Sequence, residues 1–177
     1  MKLKRFLSTL ISYINPKKKL VNIIPLKIDD AETIVRSVFS PINIHKKKGS
    51  LLSNTFRSPH GLDEVSVNRL DYTTVHFCKT ISLKIEDPDN RRSYFGFATL
   101  KAKEIRETKS EVFYTPILEP EESFNEYHSD IKIGYISLKG EPLPAEFQLK
   151  VDELTSMAKL YKDPDPNSLE WKGEPIT

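Results

Sequence analysis

The chain has 177 residues, of which 38% are hydrophobic and 29% are charged, a balance that suits one folded domain and argues against wholesale disorder. Lysine and arginine total 27 against 25 acidic residues, but six of these cations and none of the acids lie in the first nineteen residues. The rest of the chain is therefore slightly acidic, which argues against a broad nucleic-acid-binding face, and the single cysteine excludes an internal disulfide.

Residues 1–19 have the pattern of a basic amphipathic helix that ends at Pro16. Its apolar residues recur at intervals of three and four, which predicts one apolar stripe beside a cationic face. Three interpretations are open: a helix packed on the domain or on a partner subunit, a helix lying in a membrane surface, or a secretory signal. The absence of a small-residue cleavage site argues against a signal. The predicted docking residues are Lys4, Arg5, Phe6, Leu10, Ile14, Lys17, Lys18 and Lys19.

Residues 20–177 are predicted to form the single domain, and its first half reads as alternating strands and turns. Residues 21–28 favour an edge strand or an extended lead-in, because Pro25 interrupts an apolar run. Residues 31–38 predict a helix with Asp30 as its N-cap, and a strand over 33–39 is the alternative because β-branched residues are dense there. Lys46–Lys48 precede Gly49 in a predicted exposed turn.

The middle of the chain predicts most of the sheet. Val65 and Val67 open a strand, and strict alternation over residues 74–86 predicts another, in which Cys78 is a buried thiol. Residues 94–100 predict a central strand in which Gly96 allows close backbone approach, and residues 102–108 a helical turn.

The last third predicts two strands and the clearest helix of the chain. Residues 112–114 and 128–136 are the strands, and residues 145–161 carry an apolar face at helical spacing. Trp171 lies in a tail that is expected to cover the core. The predicted fold class is therefore α+β: a single domain with a mainly antiparallel mixed sheet, a C-terminal packing helix at about 145–161 and the amphipathic N-terminal helix.

Several familiar chemistries have no motif here. The six glycines are scattered singly, so no phosphate-binding loop is predicted, and neither zinc-type spacing nor a nucleophile elbow is present. No cofactor and no metal are expected. Arg91 and Arg92 beside an aromatic strand resemble an RNA-binding surface, which leaves weak nucleic-acid binding as an alternative.

A cluster of polar residues in the middle of the chain is the best candidate for a site. If residues 65–70 and 128–136 are neighbouring strands, Ser66 or Asn68 meets His128. The candidate catalytic residues are Arg36, Ser66 and His128, and the candidate ligand-binding residues are His60, Glu64, Asn68, Arg69 and Tyr72. The structural alternative is that Arg69 pairs with Asp63 or Asp71 and that these side chains only satisfy one another.

Arg36, Ser66 and a later acid, Glu111 or Glu126, resemble the residues with which ADP-ribosyltransferases bind NAD. That resemblance implies a small NAD- or nucleotide-directed transferase or hydrolase with a central polar pocket. The favoured prediction is instead a non-enzymatic binding or interaction protein. It is expected in the cytoplasm, where its basic arm docks to a protein partner, to a second copy or to the membrane surface.

Overall fold

The computed structural model describes residues 24–87, 89 and 92–177, which build one six-stranded sheet with three helices. The strands are β1 (Thr33–Pro41), β2 (Val65–Arg69), β3 (Arg92–Lys101), β4 (Glu111–Tyr114), β5 (His128–Lys132) and β6 (Lys159–Lys162). The helices are α1 (Val75–Lys84), α2 (Ala102–Glu107) and α3 (Ala145–Met157). The strand order is β4-β5-β2-β1-β3-β6, and each pairing is antiparallel. The predicted α+β class is confirmed, while the predicted N-terminal helix lies outside the described residues.

The sheet buries both of its faces. The larger core lies on the side of α2 and α3, where Ile34 and Val38 of β1 point. The smaller core lies on the side of α1 and the C-terminal tail, where Val35 and Phe39 point. Because β1 is apolar on both faces, its sequence lacks strand alternation, and the helix predicted for residues 31–38 is wrong. The strand alternative is the one that forms.

Strand β1 is held unequally by its two neighbours. It pairs with β3 from Thr33 to Pro41, with one irregularity between Val38 and Phe39. With β2 it pairs only at Ile34 and Val35, opposite Arg69 and Asn68. Beyond Val35 the two strands separate, and this gap in the sheet positions the site described below.

Helix α1 replaces the strand predicted for residues 74–86. Thr74 caps its N-terminus, since the Thr74 hydroxyl accepts a hydrogen bond from the Phe77 N–H at 3.1 Å. Its buried residues, Cys78, Lys79 and Ser82, follow helical spacing.

Two of those three buried residues are polar, which is why the sequence pattern favours a strand here and the predicted strand is wrong. Lys79 forms an ion pair with Asp163 at 2.7 Å, with both side chains fully buried. The Ser82 hydroxyl lies 2.6 Å from that of Ser37. Buried polar groups with internal partners remove the apolar periodicity by which a helix is recognised.

In the C-terminal part of the chain, the predicted helix is shorter than expected and a strand follows it. Helix α3 ends at Met157, so the predicted end at 161 is wrong, and β6 then pairs with β3. A side chain at Gly96 would lie 2.1 Å from the Tyr161 carbonyl oxygen, which confirms the predicted close approach. The Trp171 ring covers the smaller core, with its centroid 5.3 Å from that of Phe97.

Two further boundaries are shorter than predicted. Strand β5 ends at Lys132 rather than 136, because the Asp63 carboxylate accepts hydrogen bonds from the next two backbone N–H groups, those of Ile133 and Gly134. Residues 24–28 form no strand and the chain bends at Leu26 and Lys27, so the edge strand is wrong for the described part of 21–28.

Candidate functional site

A cleft of about 320 Å³ opens where β1 and β2 separate. Strands β1, β2 and β5 form its polar side, α1 forms an apolar wall, and residues 117–125 close the remaining side. Its side chains include Arg36, Ser66, Asn68, Ile81, Lys84, Ile85, Ile117 and His128. The three candidate catalytic residues therefore meet in one cleft, although they are distant in the sequence.

Arg36 occupies the gap between the two strands. Its Nε–H donates to the Thr55 carbonyl at 3.3 Å, and its Nη1 donates to the Ser66 carbonyl at 2.6 Å. A guanidinium has five N–H donors, so three of them have no partner among the described residues. Within that part of the chain Arg36 also has no carboxylate at ion-pair distance.

Burial governs the charge of Arg36. It lowers the pKa of Arg36 from the ordinary 12.5 to about 10, opposed by attraction to Asp130 and assisted by repulsion from Arg92. At neutral pH the side chain therefore remains a cation. A partly buried cation without an ion-pair partner is unfavourable in an isolated protein, and it favours binding of an anion.

The orientation of Asn68 is set by a chain of hydrogen bonds. The Tyr127 N–H donates to the Asn125 side-chain oxygen at 3.2 Å, which leaves the Asn125 amide nitrogen to donate to the Asn68 oxygen at 2.7 Å. The Asn68 amide nitrogen consequently remains for the cleft, since no hydrogen bond joins it to another described residue. Asn68 is otherwise buried.

His128 is held beside Asn68 by Thr115 and Asp130. The Nδ1 of His128 lies 2.8 Å from the Thr115 carbonyl oxygen, which can only accept, so Nδ1 carries the proton in the neutral ring. The Thr115 hydroxyl donates to Asp130 Oδ2 at 2.6 Å, while Asp130 Oδ1 lies 3.8 Å from His128 Nε2. Nε2 is thus the nitrogen that stays free to accept a proton or a hydrogen bond.

Arg69 and Tyr72, both candidate ligand-binding residues, belong to a different part of the molecule. The Arg69 side chain is fully buried and forms an ion pair with Glu32 at 2.8 Å, rather than with Asp63 or Asp71. Its guanidinium also stacks on the Tyr72 ring at 4.6 Å. Arg69 therefore holds the fold together, with its donors used inside the protein.

Other candidates also lie away from the cleft. His60 is on an exposed loop, where its Nδ1 is 3.4 Å from the Ser137 hydroxyl, and Glu64 lies 3.5 Å from Lys132. Neither acid of the ADP-ribosyltransferase resemblance lines the cleft: Glu111 pairs with Arg106 at 2.8 Å, and the Glu126 carbonyl accepts from Tyr114.

The sequence missed the wall of the cleft that α1 supplies. Ile81 and Ile85 lie four residues apart and line one side of the cleft, with Lys84 between them. Thr74 as an N-cap and this four-residue spacing are the signals that identify that wall. Asn125 was also missed, because only its contact with Asn68 distinguishes it from its polar loop neighbours.

Comparison of the chain with protein-family models, with characterised proteins and with solved structures gives no match. Within residues 24–87, 89 and 92–177, no helix is long and apolar enough to cross a bilayer. The same residues contain no group of three or more His, Cys, Asp or Glu side chains arranged to bind a metal. The predicted docking residues at positions 4–19 lie outside the described part.

Proposed function

We propose that this chain is a binding protein that holds a small anionic molecule in the cleft between β1 and β2. The observation that carries the proposal is the state of Arg36, a partly buried cation that uses only two donors internally. Its remaining N–H groups match the two oxygens of a carboxylate or of another planar anion. Lys84 and Glu122 both line the cleft and offset each other in charge, so Arg36 supplies its net positive charge.

The apolar wall indicates what the rest of the ligand is like. Ile81, Ile85 and Ile117 face the polar strands across the cleft, so the ligand needs an apolar or aromatic body beside its anionic group. A volume of about 320 Å³ is at the small end of the range for ligand pockets. A ring bearing one acidic group fits these requirements.

Benzoate is a suitable probe, and Arg36→Gln is the decisive variant. We expect millimolar benzoate to shift the backbone amide resonances of Asn68, Ile81 and Ile117 in the full chain, and the shifts to disappear in Arg36→Gln. Arg57→Gln is the matched control, because Arg57 is a surface arginine whose Nη2 donates to the Glu141 carbonyl, away from the cleft.

The outcomes of this titration are distinct. Binding that survives in Arg36→Gln, or that is lost equally in Arg57→Gln, contradicts the proposal. Correct folding of each variant is checked by its amide spectrum in the absence of benzoate. A retained spectrum with lost binding assigns the effect to the guanidinium.

An enzymatic function is the second candidate, favoured by the convergence of Arg36, Ser66 and His128 in one cleft. In it, His128 Nε2 acts as general base and Arg36 holds an anionic substrate such as NAD. Incubation with NAD and chromatography of released nicotinamide test this function. Release that is absent, or unchanged in His128→Gln, eliminates it.

We also propose that residues 1–19 dock the protein to a partner or to an anionic membrane surface. The support is in the sequence: six cations and an apolar stripe precede an acidic body. The body is held from Pro25 onward, where the Pro25 carbonyl accepts a hydrogen bond from Arg69, so removing residues 1–19 is expected to leave it folded. Unchanged co-sedimentation with anionic vesicles and unchanged assembly size after deletion contradict docking by this arm.

A further inference from the structure

The cleft contains a neutral subsite next to Arg36. Asn68 of β2 and His128 of β5 are directly paired, so their side chains lie side by side on the same face of the sheet. Asn68 is 6% exposed and the His128 side chain 12%, so each turns only a small part of its surface to the cleft. Groups this buried need hydrogen-bond partners, from the protein or from a ligand.

The fold fixes which of these atoms donate and which accept. The Asn68 amide nitrogen is a donor, because its oxygen is occupied by the Asn125 amide. His128 Nε2 is an acceptor in the neutral ring, because Nδ1 donates to the Thr115 carbonyl. The subsite therefore presents one donor next to one acceptor.

Asp130 lies behind His128, outside the residues that line the cleft. Its Oδ1 is 3.8 Å from His128 Nε2, which is beyond hydrogen-bond distance, and its Oδ2 accepts from the Thr115 hydroxyl. The Asp130 carboxylate therefore makes no hydrogen bond with Nε2.

We propose that the ligand carries a carboxamide or a lactam edge beside its anionic group. The ligand carbonyl accepts from the Asn68 amide, and the ligand N–H donates to His128 Nε2. This inference rests on the proposed function, in which Arg36 binds the anion. It adds the second recognition element, and it predicts discrimination against analogues that lack the N–H, since those leave Nε2 buried without a partner.

Matched probes test the inference on the unmodified protein. The 3- and 4-carbamoylbenzoates carry an anion and a carboxamide, whereas the 3- and 4-acetylbenzoates replace the amide NH₂ with a methyl group of similar size. We expect at least one carbamoylbenzoate to bind about tenfold more tightly than its acetyl counterpart in a calorimetric titration. Equal affinities within both pairs overturn the inference.

Variants then assign the preference to the subsite. Asn68→Asp keeps the shape of the side chain but replaces the donor with an acceptor, so the preference for the carbamoyl probe should vanish. Asn54→Asp, the same change at an exposed position outside the cleft lining, should retain it. A preference that survives in Asn68→Asp overturns the inference, and the probe comparison decides the question if that variant does not fold.

The two proposals fail in different ways. Equal binding of carbamoyl and acetyl probes, with dependence on Arg36, removes the neutral subsite and leaves the anion site standing. Both proposals are overturned if all four probes bind independently of Arg36. Both are also overturned if none of the probes binds at a probe concentration of about 10 mM.

Discussion

Arg69 and Glu32 form a buried ion pair, and removal of the Arg69 side chain is expected to destabilise the fold strongly. Its side chain is fully buried, and its Nε and Nη2 donate to the two carboxylate oxygens of Glu32, each at 2.8 Å. Arg69→Met leaves the Glu32 carboxylate buried without a counter-charge. Breaking a buried pair in this way costs about 3–5 kcal/mol, a large part of a typical domain stability of about 5–15 kcal/mol.

The double variant makes the argument testable. In Arg69→Met with Glu32→Met, neither charge remains to be desolvated, so we expect it to recover at least about 2 kcal/mol relative to Arg69→Met alone. Urea unfolding followed by the fluorescence of Trp171, the single tryptophan, measures the free energy of unfolding of each variant. A cost below about 1 kcal/mol for Arg69→Met, or a double variant whose cost equals the sum of the singles, refutes the reasoning.

Three further predictions concern packing and titration. Gly96→Ala places a methyl group against the Tyr161 carbonyl and should separate β6 from β3, lowering the unfolding temperature and the amide-exchange protection of β6; unchanged protection contradicts the close approach. Lys79→Met leaves Asp163 buried and unpaired and should cost about 3–5 kcal/mol in urea unfolding, whereas a surface position for Lys79 would give under about 0.5 kcal/mol. Burial raises the pKa of Cys78 from 9.0 to about 12, so the folded state keeps a proton that the unfolded state loses. Stability from this thiol is then fully present below pH 9 and is lost as the pH rises towards 12, and Cys78→Ala should flatten the pH dependence of stability in that window; an unchanged slope contradicts burial of the thiol.

Strand β2 could be predicted because one of its faces is polar. Strand β2 alternates, with Val65 and Val67 in the core and Ser66 on the other face, and its predicted partner strand begins at His128 as expected. Central strand β1 has no such alternation because both of its faces are buried, so its β-branched residues were the better guide.

Helix α1 shows a different limit. Lys79 is buried because Asp163, far along the chain, supplies its counter-charge, and nothing local in the sequence reveals that partner. Arg69 is a second case. The sequence predicts that it binds a ligand, but its guanidinium forms an ion pair with Glu32, which is also distant in the sequence. Polar residues whose partners are distant in sequence cannot be sorted into structural and functional ones by local pattern.

The polar half of the cleft could be predicted, and the apolar half could not. Ser66, Asn68 and His128 follow from strand pairing and side-chain alternation, which depend on few assumptions. Ile81 and Ile85 line the cleft together only because residues 75–84 form a helix. The strand predicted for residues 74–86 therefore did not indicate an apolar wall. The gap between β1 and β2 depends on tertiary structure alone.

A crystal structure of the full chain with 4-bromobenzoate is the most direct test of the anion site. The anomalous signal of bromine locates the ring independently of any assumed pose. We predict the carboxylate at about 2.7–2.9 Å from the Nη atoms of Arg36, with the ring against Ile81 and Ile117. A bromine signal outside the cleft, or a carboxylate bound away from Arg36, contradicts the account.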